Sequence, residues 1–261
     1  MLPWGLSIEL NIREEIGASI WRTGVYEPAV SEAVWRLLTP GEVAIDAGAN
    51  IGYMTSIMAS RVGPGGKVIA FEPHPEVFAS LSRNIRAFGG GGMLGEISAY
   101  RVALSNETKE SWLFTGSDWK HNEGTARLAE PGEPTEGIVV GVVRLDDVAP
   151  RGEIALLKLD VEGHEAKVLR GATRLLSAGA VRNVIFEDHI GPQSDAHLVL
   201  RSAGYDIRRL EWNNDGLLVL AGDAPRMRTH EAANFIASKS MSRTEAILSR
   251  SGWEIFHHKK R

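Results

Sequence analysis

The most informative stretch for chemistry is Val43-Ala44-Ile45-Asp46-Ala47-Gly48-Ala49-Asn50-Ile51-Gly52, which reads as an apolar strand, a turn and a helix start. Gly48 lets the chain reverse without a Cβ clash. Asn50 tolerates left-handed backbone angles and can cap the next helix. Gly52 lets the helix end come close to a ligand or to the sheet. The free N–H groups of that helix suit an anion. In a nucleoside ligand without phosphates the anion is an amino-acid carboxylate, and Asp46 at the strand end can pair with the α-ammonium. The next apolar run, 68–72, finishes in Glu72, 24 residues after Gly48, followed by Pro73. A carboxylate at that place accepts two hydrogen bonds from a ribose diol. The plain alternative is a strand-end turn with a solvated acid; the ordered combination of all these pieces favours a nucleoside-cofactor site. NAD is the competitor from another class, as in an oxidoreductase. Its fingerprint G-x-G-x-x-G is missing here, because Asn50 stands at the second glycine.

A second constellation follows the run 154–160. Asp160 ends that strand, and Glu162, His164 and Glu165 open the helix after it. Acids in a first helical turn are favoured by the helix dipole, which accounts for Glu165 without any function. Asp160 differs, because ligands of a doubly wound sheet bind beyond the carboxyl ends of its central strands. Glu187 and His189 end a third run and share one side by period two. Asp160, Glu162, His164, Glu187 and His189 are thus expected to meet in one cleft. His164 or His189 would take a proton as general base, oriented by Asp160 or Glu187. The same groups could hold Mg²⁺, Mn²⁺ or Zn²⁺, but no metal is assigned. Tyr26, Trp21, Trp112, Trp119, His121 and Trp212 are further pocket candidates, whereas Trp35 belongs to the core.

The elements that must position these residues alternate. Short β-branched runs at 43–46, 68–72, 97–104, 154–160 and 184–187 are separated by helical patterns at 28–38, 52–61, 75–88, 162–176 and 194–202. This rhythm predicts an α/β fold with a mainly parallel, doubly wound sheet. Extra strands are expected at 111–114 and 137–145 around a polar stretch, 116–136, that reads as a mobile lid or as disordered chain. The runs 205–211 and 216–221 flank Asn213-Asn214-Asp215 and read as an antiparallel hairpin. Three parts are expected: a lead segment (1–27), the main domain (28–221) and a C-terminal extension (222–261) with weak helical patterning near 230–238 and 243–250.

Composition bounds the rest. The chain has 261 residues, 29 basic and 33 acidic side chains, and no cysteine. Disulfides and thiolate catalysis are excluded, and the mixed charge argues against a nucleic-acid partner. No window is apolar enough for a membrane helix. The expected location is cytoplasmic, and a homodimer stays open.

Taken together, the motifs resemble the FkbM family of class I S-adenosylmethionine-dependent methyltransferases. The matching pieces are Tyr26-Glu27-Pro28, Ile45–Gly52 as quoted above, Ala70-Phe71-Glu72-Pro73, Val102-Ala103-Leu104-Ser105, Arg144-Leu145-Asp146-Asp147, Leu157-Lys158-Leu159-Asp160-Val161-Glu162-Gly163-His164-Glu165 and Ile185-Phe186-Glu187. The resemblance implies a Rossmann-like, seven-stranded sheet, six strands parallel and one antiparallel. It implies S-adenosyl-L-methionine held by Tyr26, Asp46, Gly48, Asn50, Gly52, Glu72, Pro73, Ala103 and Asp160. It also implies methyl transfer to a hydroxyl of a small molecule such as a sugar, polyketide or other secondary metabolite. Transfer to an amine is the second expectation.

Overall fold

The computed structural model describes residues 1–89, 92–115, 126–129, 137–224 and 233–256. In chain order the elements are α1 (Glu15–Thr23), α2 (Pro28–Leu37), β1 (Val43–Ala47), α3 (Tyr53–Val62), β2 (Lys67–Phe71), α4 (Pro75–Ala87), β3 (Glu96–Tyr100), β4 (Ala103–Ser105), β5 (Lys109–Phe114), β6 (Arg127–Leu128), β7 (Ile138–Arg144), α5 (Leu145–Val148), β8 (Ile154–Leu159), α6 (Glu165–Arg170), α7 (Thr173–Ser177), β9 (Val181–Asp188), α8 (Asp195–Ser202), β10 (Asp206–Asn213), β11 (Gly216–Ala221), β12 (Ala233–Ser238) and α9 (Met241–Leu248).

The main sheet has eight strands in the order β11-β10-β12-β9-β8-β1-β2-β3. β3, β2, β1, β8 and β9 are parallel neighbours. β12 runs against β9 and against β10, and β11 runs against β10. The seven-strand expectation is therefore corrected to a mixed eight-stranded sheet. The reason lies at the hairpin end: β11 pairs with Arg208–Asn213 of β10 as an outer strand, and β12, which was not expected as a strand, enters between β10 and β9.

Every residue of β8 is buried, as an apolar run covered on both faces requires. α2 starts with Pro28 at its first turn, and α8 starts at Ser194, whose hydroxyl accepts from the His197 N–H at 3.3 Å. One core packs α2 and α3 against the sheet, and a second packs α6, α7 and α8 against it.

Four elements differ from expectation. The run 97–104 divides into β3 and β4, and β4 pairs with β7 in a separate sheet of order β4-β7-β5-β6. The helix expected over 162–176 divides into α6 and α7. Gly171 sits at that break, and a Cβ there would lie 1.9 Å from the Ser105 carbonyl oxygen. The pattern near 230–238 folds as β12, not as a helix; an inner strand with four consecutive buried residues, Phe235 to Ser238, leaves no polar face for periodicity to report. The lead segment contains a helix, α1, capped by the Glu14 carboxylate, which accepts from the Ile16 and Gly17 N–H groups. Among the described residues no helix is long and apolar enough to cross a membrane.

Candidate functional site

The carboxyl ends of the central strands open into a cavity of about 890 Å³. Tyr26, Gly48, Asn50, Glu72, Pro73, Ala103, Asp160, Glu162, His164, Glu187 and His189 all line it. Two residues expected at the site, Asp46 and Gly52, lie behind the wall.

The glycine turn is built by three left-handed residues: Gly48 (φ 78), Asn50 (φ 48) and Gly52 (φ 92). The close approach that Gly48 permits is to the protein itself, since a Cβ there would lie 1.8 Å from the Asp160 carbonyl oxygen. That contact presses the ends of β1 and β8 together. Gly52 is crowded by Leu81 of α4, whose Cδ1 would lie 2.8 Å from a Cβ. Asn50 does not cap α3; its Oδ1 accepts from the Ile51 N–H at 2.6 Å. The N-cap of α3 is Gly52, with no side-chain cap.

Glu72 is held by the backbone. Its Oε2 accepts from the Asn50 N–H at 3.0 Å, and its Oε1 from the His74 N–H at 2.9 Å. Burial pushes its carboxyl up to about 7, against the pull of those two bonds. Asp46 is fully buried, with Oδ2 accepting from the Thr55 hydroxyl at 2.6 Å and Oδ1 without a hydrogen-bond partner. Burial raises its carboxyl, and Lys158 opposes that rise.

Lys158 is the one cation of the wall among the described lining residues, the two histidines aside. Its Nζ donates to Asp160 Oδ2 at 2.8 Å. Burial opposes its charge, but the carboxylates of Asp160, Asp46 and Glu27 outweigh it and hold the ammonium above the ordinary lysine range. Around it stand acids that burial and mutual repulsion make reluctant to ionise. Burial, then Asp160, push Glu162 up to about 7. Burial, then Asp160 and Glu27, push Glu187 up to about 8. Glu162 takes a left-handed φ of 54 in the turn that opens α6.

The two histidines differ. His189 Nε2 stands 3.9 Å from Glu187 Oε2, and its side chain is 66% exposed. His164 is buried, its Nε2 2.8 Å from the Ser105 hydroxyl across to β4. Asp188 between Glu187 and His189 points the other way. It accepts from the Ile190 and Gly191 N–H groups, both at 2.7 Å, and from Ser194, and it faces His197 Nδ1 at 3.3 Å. Glu165 accepts from the Val161 N–H at 3.0 Å and closes its own turn, so it is a cap and not a wall residue. Tyr26 lies edge-on to Tyr53, and burial raises its hydroxyl above the ordinary phenol range.

Sequence reasoning missed several wall residues. Glu27 stands at the N-cap position of α2 with φ 44 but makes no side-chain cap; its carboxylate accepts from Asn234 at 3.0 Å. Its signal was its place before Pro28 at a helix start. Lys158 was detectable by period two from Asp160. Trp253 and Phe256 of the C-terminal segment carried no local signal at all. Of the aromatic candidates, Trp212 lines the cavity, Trp21 is 70% exposed off it, and Trp112 belongs to β5. Trp119 and His121 lie outside the described residues, as does most of the stretch 116–136. Among the described residues no group of three or more His, Cys, Asp or Glu is arranged to hold a metal ion.

Residues 46–207 match the Methyltransferase FkbM domain. The hexuronic acid methyltransferase AglP of Haloferax volcanii is 32% identical over 153 residues, 58% of this chain and 57% of that protein. The chain thus spans little more than half the length of that relative. The 31-O-demethyl-FK506 methyltransferase FkbM of Streptomyces tacrolimicus is 32% identical over 204 residues, 65% of this chain and 75% of that protein. Among solved structures, a methyltransferase FkbM from Methylobacillus flagellatus aligns with a TM-score of 0.49 and 14% identity, covering 87% of this chain and 62% of that one. The domain match spans more than half of the chain and takes in the glycine turn, Glu72 and both acidic strand ends, and on it the chain belongs to the FkbM methyltransferase family.

Proposed function

We propose that the protein transfers a methyl group from S-adenosylmethionine to a hydroxyl of a small molecule. The observation that carries this reading is the joining of two halves in one cavity. One half holds the buried Glu72 carboxylate beside the Gly48–Asn50 turn. The other holds Asp160, Glu187 and His189. A volume of about 890 Å³ is near the upper end of the roughly 300–1,000 Å³ of small-molecule sites, which leaves room for an acceptor beside a nucleoside.

The residues present fit the cofactor. Glu72 is already a double hydrogen-bond acceptor and suits a sugar diol. Asp160, fixed by Lys158, and Tyr26 are the wall groups for the amino-acid end. Bound there, the cofactor supplies an electrophilic methyl group on a sulfonium. The rest is the work of this chain. Alignment of a hydroxyl in a closed cleft can contribute about 7–11 kcal/mol in favourable cases. His189, its side chain 66% exposed at the cavity rim, takes the hydroxyl proton at Nε2 and passes it to solvent, with the Glu187 carboxyl 3.9 Å away. His164, bonded to Ser105, holds the α6 turn and its acids against β4 instead.

A second reading is transfer to an amine. It is favoured by the acidic wall, where Glu15, Glu27, Glu72, Asp160, Glu162 and Glu187 face one lysine, Lys158, among the described lining residues. Calorimetric titration with S-adenosylhomocysteine and with NAD tests the cofactor assignment. Binding of the first alone is expected, and binding of NAD alone overturns the reading. A mass screen for acceptors that gain one CH₂ then separates oxygen from nitrogen.

A further inference from the structure

The family match ends at residue 207, yet the last described segment is tied into the molecule by a device that reaches back to α2. Glu32 and Arg36 lie one helical turn apart with side chains 0% exposed, and Arg36 Nε stands 2.6 Å from Glu32 Oε1. Their remaining bonds go to one stretch of backbone. Arg36 donates to the carbonyls of Leu248 (2.7 Å), Arg250 (2.6 Å) and Gly252 (2.6 Å). Glu32 accepts from the N–H groups of Glu254 (2.7 Å) and Ile255 (3.0 Å). A wholly buried ion pair is weak evidence for stability in itself. Here its hydrogen bonds fix the path of residues 248–255.

The same segment is joined to the β10–β11 hairpin. The Gly252 N–H donates to the Asp215 carbonyl at 3.1 Å, and a Cβ on Gly216 would lie 2.8 Å from the Gly252 oxygen. The path so fixed carries Trp253 and Phe256 to the cavity wall. Trp253 packs edge-on against Trp212 (centroids 6.1 Å apart) and against Phe256 (5.9 Å). In sheet order β10 stands five strand spacings from β2, roughly 24 Å at about 4.8 Å each. Trp212 at the end of β10 is therefore remote from Glu72 and lies on the side of Glu187.

We infer that Trp212, Trp253 and Phe256 form the acceptor-side wall of the cavity and select an acceptor with an apolar ring face. Glu32 and Arg36 are the positioning residues that hold this wall in place. The inference rests on the methyl-transfer reading only for the word acceptor. The wall itself is tested without an acceptor in hand.

The probe is N-phenyl-1-naphthylamine, a neutral fluorophore with flat apolar rings, titrated into the full chain with and without S-adenosylhomocysteine. It binds the cofactor-loaded protein and accepts energy from tryptophan. W253A and F256A each weaken it by about fivefold, as expected for the loss of one aromatic contact, while affinity for S-adenosylhomocysteine is unchanged. R36M loses probe binding in the same selective way, whereas a merely structural role would lower both affinities together. If R36M does not fold, the two aromatic variants still decide the matter. Unchanged probe binding in both W253A and F256A, or no probe binding to the wild type, overturns the inference. Failure of S-adenosylhomocysteine to bind while the probe still depends on Trp253 sinks the methyl-transfer reading and leaves the wall standing.

Discussion

Lys158 Nζ donates to Asp160 Oδ2 at 2.8 Å while its strand register sets it beside Asp46, so one buried ammonium serves two carboxylates. K158M removes the cation and leaves both acids in a poorly solvated floor. Removing one partner of a buried pair costs about 3–5 kcal/mol, and the low end applies because the Asp160 side chain is 27% exposed. Urea unfolding at pH 7 should show that loss. It should shrink at low pH, where the stranded carboxyls take up protons.

The glycine turn makes a sharper case. G48A places a methyl group 1.8 Å from the Asp160 oxygen at a φ of 78. Backbone strain alone costs about 1–3 kcal/mol, and the contact adds to it. The variant should lose S-adenosylhomocysteine binding in calorimetry even where circular dichroism still reports folded protein.

These two positions also show how far the sequence could be read. The alternation of parallel strands with helices, and the convergence of Asp160, Glu187 and His189 on one cavity, were legible from the β-branched runs, from period two and from the rule for strand ends; the order of the strands was not. Nor was the purpose of Gly48, because its crowding partner, Asp160, lies 112 residues on, just past the end of β8. β12 escaped detection because an inner strand buried on both faces has no polar alternation. Trp253 and Phe256 escaped because their place depends on Glu32 and Arg36, whose i, i+4 spacing within α2 carries no sign of burial. Local patterns recover elements; they do not report which distant backbone a buried ion pair holds.

The histidines should separate by assay. H189A removes the imidazole that faces Glu187, and turnover should fall by about 10²- to 10⁴-fold with cofactor affinity kept. H164A instead breaks the bond to Ser105, so its main effect should be a lower melting temperature. Full turnover in H189A would show that the base is elsewhere.

Stability should peak in mildly acidic solution. The folded-state value of Glu187, about 8 against an ordinary 4.5, means that the folded chain holds this proton more tightly than the unfolded chain. The stabilisation is complete below the unfolded value and is lost as pH rises through about 8. Glu162 and Glu72, each near 7, act in the same direction. Asp188 has the opposite sign. Burial opposes its charge, but bonds from His197, Ser194, Gly191 and Ile190 bring its carboxyl down to about 2, so its contribution is lost as pH falls from 3.8 through 2. Melting temperature should fall between pH 5 and 8, and E187Q should flatten that fall. D188N should lower stability by about 2 kcal/mol at neutral pH and weaken the acid limb.

Glu32 and Arg36 allow a double-mutant cycle with an outcome set by the backbone. R36M alone should cost about 3–5 kcal/mol, because it strands the buried Glu32 charge, and E32Q should cost less, because Arg36 Nε keeps the Glu254 carboxylate at 3.9 Å. In many buried pairs, replacing both members by apolar groups restores stability. Here it should not. The pair E32L/R36M leaves the carbonyls of Leu248, Arg250 and Gly252 and the N–H groups of Glu254 and Ile255 without their partners. The Leu248 carbonyl and the Ile255 N–H are the buried ones, and each buried group left unsatisfied costs about 1–3 kcal/mol, so the double variant should be no more stable than the singles. It should also open residues 248–255 to amide exchange. Recovery of wild-type stability in the double variant would mean that the segment holds its path without the latch.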